Sequence, residues 1–592
     1  MLSATKAKLM SFLSGSSQYI IPFFQRSYVW KIDNWAELWE NINEEYNELK
    51  KNPNTTSEHF IGTIIIKQLI SPQVGETEYE LIDGQQRLTT ICLLLKAFQD
   101  VAKDNAAKRW INKFLNFEDS YGNEKIRISH SKVDKEHFQN IIQDKKNNTK
   151  LWENFKDYPI EDFEKKIERE NKIIGAYLYF RKCIESDCNI KDVRSYINII
   201  IERLPVIHMA LNAEDDVQQI FDTINSLGVK LTTAELLKNY LYSKKPLINL
   251  YDDYWNAIFE ADEDLIEFWN RERTSGRVRR TTIELFLYSC LVILKESPVK
   301  LESLFKEFKN YIKEMKDSQL VWFAKEIKSY ALVYQELPDG ENLSEISFTE
   351  HDKRFFHLIK EFEITTIFPL VLYIFKVVSD AHERIKILNV LESYLTRRTV
   401  CKLTTKNYNN LFLSLLADVK KMKQITGENI KGQLLKFKDE TNRFPDDQEF
   451  KKAFHHSILI NKYSREVLYC IALFQLNNDF TDNPKLNYYG FSVEHIMPKK
   501  WRNHWHNLPE GADEVSRDNK LLTLGNLTLV KGKLNGALRD SNWAKKKEAL
   551  RKFSTLRQTT DYLNKHDWNE NEITQRADNL FKSALQIWKL QK

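Results

Sequence analysis

Tyr79–Thr90 reads YELIDGQQRLTT, and its reading sets the fold class of the first part of the chain. A short run of strand-forming residues ends at Asp83-Gly84. Two amides and an arginine follow, and Leu88, Ile91, Leu94, Leu95 and Phe98 then recur at helical spacing. Upstream lie the β-branched run FIGTIIIKQL (Phe60–Leu69) and the turn-rich SPQVGETE, so the pattern is a hairpin whose second strand feeds a helix. Glycine at an Asp-Gly turn permits positive φ and close approach of the backbone to a ligand. Amide groups opening a helix favour an anion, and Arg87 forks onto phosphate oxygens. Gln85 and Gln86 both donate and accept hydrogen bonds. The turn therefore reads as a phosphate or nucleotide site, although Arg87 packing against Asp83 would give the same letters.

The 592 residues correspond to three or four domains at roughly 150 residues each. Composition is 42% hydrophobic, 12% aromatic and 29% charged, as expected of a soluble globular protein. Lys+Arg 88 against Asp+Glu 83 gives a net charge of +5, which neither demands nor excludes nucleic acid. The 6 cysteines are scattered without a CxxC pair, so free thiols in a reducing cytosol are expected rather than a zinc site or disulfides. The N-terminus shows no apolar core with a cleavage site. Ile367–Phe375 is too short to span a bilayer and contains Pro369, so a cytoplasmic protein without a membrane partner is expected.

LPVIHMAL (Leu204–Leu211) reads as a further strand. A helix is expected to run to about Asn225 with Gly228 as a left-handed stop, and the next helix opens on the capping box Thr232-x-x-Glu235. From 246 to 430 the pattern is helical, and Gly, Pro and acidic residues cluster near 425–445. The expected domains are 1–245, 246–430 and 431–592. In the middle region Arg271, Arg273, Arg277, Arg279 and Arg280 crowd around Gly276. They suit DNA phosphates, each contact steepening the log–log salt dependence by about one unit, or else form an exposed loop of paired charges. Arg397-Arg398 is a weaker candidate.

Near the C-terminus FSVEHIMPKKW (Phe491–Trp501) ends an extended run at Glu494-His495. Asn526 sits in the β-like LGNLTLV, and Asn535 lies where a helical pattern begins. His504 and His506 fall in an expected loop. KGK and AKKKEALRK add positive charge that suits phosphate contacts or a solvated helix face.

A histidine-bearing strand, an asparagine-bearing strand and a polar residue on the next helix resemble the HNH, or ββα-metal, nuclease found at the C-terminus of GmrSD-type restriction proteins. Gln25-Arg26-x-Tyr28-x-Trp30, Phe60-Ile61-Gly62, Asp83-Gly84-Gln85-Gln86-Arg87 and Phe221–Asn239 resemble the N-terminal domain of that family, whose fold is similar to ParB and sulfiredoxin. The resemblance implies a multidomain, predominantly α protein with α+β parts: a ParB/sulfiredoxin-like N-terminal domain, a helical middle and a C-terminal HNH nuclease. It implies that a nucleoside triphosphate is bound and hydrolysed at Asp83, Gly84, Gln85, Gln86 and Arg87, with Gln25, Arg26, Tyr28 and Trp30 as neighbours, although Tyr28 and Trp30 equally suit a core. No GxxxxGK[ST] sequence is present.

At the other site it implies His495 as general base, Asn526 as the residue orienting it, and Asn535 and Glu494 as ligands of a divalent metal such as magnesium. Adjacent strand residues face opposite sides, so an irregular strand end is expected if Glu494 and His495 are to meet. The implied function is a nucleotide-dependent, metal-dependent endonuclease restricting modified, double-stranded foreign DNA in antiphage defence. A phosphorothioate-sensing nicking enzyme of the SspE type, and a nucleotide-switched DNA-binding regulator with an inactive nuclease, are the alternatives. Homo-oligomerisation is left open.

Overall fold

In the computed structural model, residues 4–22, 25, 27–69, 77–130, 132–187, 192–211, 232–242, 245–275, 278–478, 485–506, 508 and 513–590 are described. The chain divides into two compact units, Met1–Ile248 and Asn249–Lys592. It is mostly helical, with a small mixed sheet.

The first unit is built on six strands: β1 (Ala4–Ala7), β2 (Ser17–Ile20), β3 (Thr63–Gln68), β4 (Thr77–Asp83), β5 (Ile128–Ser129) and β6 (Val206–Leu211). Their order is β1-β6-β3-β4-β2-β5. β3 and β4 pair antiparallel as the β-branched run predicts, with a register shift between Ile65 and Ile66. β6, the LPVIHMAL strand, lies parallel to β3. Four helices matter to the site: α1 (Ile32–Lys51), α2 (Gln85–Val101), α3 (Lys132–Gln143) and α4 (Lys172–Asp187).

The sequence pattern gives α2 one apolar face, yet every residue from Leu88 to Phe98 is buried. Residues of α1, α3 and α4 join α2 in one core, including Trp35, Trp39, Phe138, Tyr177 and Phe180. Burying each such side chain contributes about 1.5–3 kcal/mol, so α2 is fixed rigidly beneath its first turn. Even Lys96 is buried, its ammonium 3.1 Å from Asp100. The Thr232/Glu235 capping box forms as expected. Asn225 and Gly228 lie outside the described residues.

In the second unit the hairpin β7 (Glu272–Ser275) and β8 (Val278–Thr281) interrupts the helical pattern expected from 246 to 430. Helices α5 (His351–Glu361), α6 (Ala381–Val400) and α7 (Asn461–Asn478) surround a polar interior in which Glu392 accepts from Arg354 Nε at 3.1 Å and Trp588 Nε1 at 3.0 Å. Arg398, buried at the end of α6, donates to the carbonyls of Arg443 and Thr441. Residues on either side of position 430, such as Val400, Phe450, Leu468, Leu529 and Trp588, share one core. The helical region and the C-terminal region thus belong to one compact unit, and Arg397-Arg398 braces main-chain carbonyls inside it. Toward the end come β9 (Phe491–His495), β10 (Leu527–Lys531), α8 (Gly532–Leu538), α9 (Trp543–Phe553) and α10 (Glu570–Ile587). Among the described residues no helix is long and apolar enough to cross a membrane, and Cys92, Cys183, Cys290, Cys401 and Cys470 are free thiols.

Candidate functional site

The Asp83-Gly84 turn joins β4 to α2. Gly84 caps the helix at φ +96°, and a Cβ there would meet Ile64 Cγ1 at 3.0 Å and Thr63 O at 3.1 Å. Gly62 has φ +111°, and a Cβ on it would stand 2.6 Å from Arg87 Nε. Both glycines are therefore needed for the close passage of β3 against the turn. Arg87 donates through Nη1 to Thr63 O at 3.0 Å and lies 3.7 Å from the Asp83 carboxylate. Asp83 and Arg87 remain part-exposed. The guanidinium is thus held between the Thr63 carbonyl and the Asp83 carboxylate at the first turn of α2, the pairing with Asp83 that the sequence offered as the alternative to an anion site.

The expected neighbours Gln25, Tyr28 and Trp30 serve as framework, and so does Gln86 of the expected nucleotide loop. Gln25 donates to Leu81 O at 2.7 Å, and Gln86 spans the chain opposite by accepting from Val29 N–H at 2.9 Å and donating to Ser27 O at 3.1 Å. The buried Tyr28 hydroxyl bonds Thr90 Oγ1 at 2.6 Å and receives Trp35 Nε1 at 2.9 Å. Tyr28 N–H donates to buried Asp134 at 2.6 Å, and burial pushes that carboxyl up to about 6. Trp30 packs against the core cluster. Arg26 lies outside the described residues.

Arg271 and Arg273 converge on a single carboxylate: Arg271 Nη1 reaches Asp339 at 3.0 Å, and Arg273 Nη1 bonds its other oxygen. One carboxylate thus offsets one of the two charges within the fold. Arg279, across from Thr274 on the hairpin, is exposed and pairs with exposed Glu272 at 3.5 Å. Arg280 lies opposite Arg273. Arg277 lies outside the described residues.

The second site is assembled on β9 and β10, which pair antiparallel from Phe491↔Lys531 to His495↔Leu527 without a break. The irregular end expected at His495 is therefore absent, and strand alternation operates. Glu494 is buried, and its Oε1 accepts from Lys546 Nζ on α9 at 2.5 Å. Burial pushes the Glu494 carboxyl up against the opposing Lys546 charge, and pushes the Lys546 ammonium down against the opposing Glu494 charge.

His495 is half-buried, and burial, with the charges of Lys499 and Lys546, lowers its imidazole to about 4. It is consequently neutral at physiological pH, the form that accepts a proton. Asn535 on α8 donates to Ser492 Oγ at 2.8 Å and Val493 O at 3.1 Å, so its amide nitrogen is fixed on β9 and its oxygen is the remaining donor for a cation.

Asn526 has no solvent exposure and acts on the main chain rather than on the imidazole. Its Oδ1 accepts from Met497 N–H at 2.9 Å and Trp568 Nε1 at 3.0 Å. Its Nδ2 donates to Met497 O at 2.8 Å and Leu521 O at 2.9 Å. It staples the chain two residues beyond His495. Arg576, wholly buried on α10, in turn donates Nη1 to the carbonyls of Leu524, Gly525 and Leu527.

Residues 9–242 match the profile of the GmrSD restriction endonuclease N-terminal domain, and residues 444–583 match that of the GmrSD restriction endonuclease C-terminal domain. The chain belongs to the GmrSD restriction endonuclease family. A search among curated proteins gave no match. Membership in the GmrSD family supports a restriction endonuclease role with DNA as partner.

The GmrSD N-terminal match encloses the Gly62–Arg87 cradle, and the C-terminal match encloses His495, Asn526 and Asn535. With Glu494 given over to Lys546, the Glu494–Asn535 pair does not fit a two-ligand cation cradle in this arrangement. Among the described residues no three His, Cys, Asp or Glu side chains are grouped to hold a metal ion. Sequence reasoning missed Lys546 and Arg576. Lys546 hid in a lysine run whose inward member no letter marks, and Arg576 in an ordinary amphipathic helix. His504 and His506 are exposed outside the strand pair.

Proposed function

We propose that the chain is a nucleotide-controlled DNA endonuclease of the HNH type, cutting phosphodiester bonds with His495 as general base. The observation that carries this is the placing of half-buried His495 on the last rung of β9, beside a helix whose Asn535 is fixed to the same strand. β9, β10 and α8 follow one another in ββα order. A neutral imidazole takes the proton of the attacking water as the phosphorus–oxygen bond forms and the leaving oxygen departs, contributing about 10²–10⁴-fold. The resemblance implies a divalent ion to offset charge on the phosphate, and Asn535 Oδ1, whose amide nitrogen is engaged by β9, would be one of its oxygen ligands.

In the first unit Gly62, Gly84 and Arg87 form a cradle suited to a triphosphate, with Asp83 at its edge. This is a control site, where nucleotide binding licenses or restrains cutting of modified foreign DNA. His495→Ala is expected to abolish plasmid cleavage while leaving triphosphate turnover intact. Arg87→Ala is expected to remove turnover and its response to DNA. Unchanged cleavage by His495→Ala would contradict the nuclease assignment.

A further inference from the structure

Lys546 belongs to the basic stretch that the sequence offers to solvent or to DNA phosphate, yet its side chain has no solvent exposure. Its Nζ donates to Glu494 Oε1 at 2.5 Å and to His495 O at 2.7 Å. An ammonium closed off from water does not reach a DNA backbone. Burying an ion pair also costs several kcal/mol per ion before the mutual attraction is counted, so well-packed apolar side chains here would serve stability at least as well.

What the pair holds is the main chain at His495. On the outgoing side, Lys546 fixes the His495 carbonyl. Immediately beyond, Ile496 N–H donates to Asn526 O at 2.9 Å and Met497 N–H to Asn526 Oδ1 at 2.9 Å. On the incoming side, Glu494 is anchored through its carboxylate to the same ammonium. His495 is thus the last rung of β9, clamped before and after by side chains from α9 and from the β10 approach.

We infer that Lys546 is a positioning residue for His495, and that Glu494 is its buried counter-ion rather than a metal ligand. This rests on the reading of His495 as general base. A base acts only within hydrogen-bond reach of the water it deprotonates, and a misplacement of about 1 Å costs on the order of 100-fold. Lys546 would set that reach without touching DNA.

The test uses the full chain, supercoiled plasmid and a magnesium titration, with DNA affinity and thermal melting measured on each variant. Lys546→Met is expected to slow single-turnover cleavage by at least about tenfold with DNA affinity within about twofold, since only positioning is lost. Glu494→Gln is expected to slow cleavage to a similar degree while leaving the magnesium concentration for half-maximal rate within about twofold. The double variant is expected to be no worse than the poorer single, because the two groups act as a unit.

Folded Lys546→Met cutting at the wild-type rate would overturn the inference. So would a Lys546→Met defect lying entirely in DNA affinity, or a magnesium requirement raised about tenfold or more in Glu494→Gln. Should Lys546→Met fail to fold, the Glu494→Gln titration decides alone. An active His495→Ala removes the base reading itself, whereas an inactive His495→Ala beside a fully active Lys546→Met removes only the role given to Lys546.

Discussion

In the proposed function two single residues carry most of the chemistry, and each is set by an identifiable contact. Arg87 is aimed by Gly62, where φ of +111° and the 2.6 Å approach to Nε leave no room for a side chain. Gly62→Ala is expected to cost about 1–3 kcal/mol of stability through backbone strain and to displace the guanidinium. A thermal melt with a triphosphate-binding titration checks this. Unchanged melting and affinity would show the cradle to be more tolerant than described.

His495 is lowered to about 4 from an ordinary value of 6.5, chiefly by burial and then by Lys499 and Lys546. The unfolded chain therefore binds a proton at this position before the folded one does. Its contribution to stability is present above about pH 6.5 and is lost as pH falls toward 4. The His495 ring resonance, identified by difference from His495→Ala, should titrate near 4. Lys499→Ala should move it upward, and a midpoint near 6.5 would remove the electrostatic account of the base.

At the scale of elements, β9, β10 and α8 hang on a staple that is wholly internal. Removing it with Asn526→Ala leaves the buried Met497 N–H and Trp568 Nε1 without their acceptor, at about 1–3 kcal/mol for each unsatisfied group. A denaturant melt should show the loss, and cleavage should fall with it even where the protein stays folded. Gly525 cannot change either, since a Cβ there would sit 2.4 Å from Ile573 O.

The elements of the first unit were legible because their signals are local: a β-branched run, an Asp-Gly turn and a capping box. Strand alternation sets adjacent Glu494 and His495 on opposite faces, yet the family resemblance led to the expectation of an irregular strand end that would let them meet, and the regular pairing of β9 with β10 does not show one. Tertiary partners were not legible. Nothing near Arg271 and Arg273 announces Asp339, which draws both guanidiniums onto one carboxylate from far along the chain. Nothing in the lysine run of α9 says that the member at 546 turns inward. Amphipathic spacing gave α2 one apolar face, whereas the helices around it bury the rest.

At the scale of the molecule, the boundary at Ile248/Asn249 leaves each unit with its own core. The fragment 249–592 is accordingly expected to melt as a folded protein, to keep basal DNA cleavage and to lose any response to triphosphate. Expression of the fragment with a cleavage assay checks this. A response to triphosphate retained by the fragment would place the nucleotide site outside the first unit.

The account as a whole stands on His495. Its most direct test is the rate of plasmid cleavage by full-length protein with magnesium and each triphosphate, comparing wild type with His495→Ala. The account predicts a loss of about 10²–10⁴-fold in the variant at unchanged triphosphate turnover; cleavage by His495→Ala at the wild-type rate would contradict it.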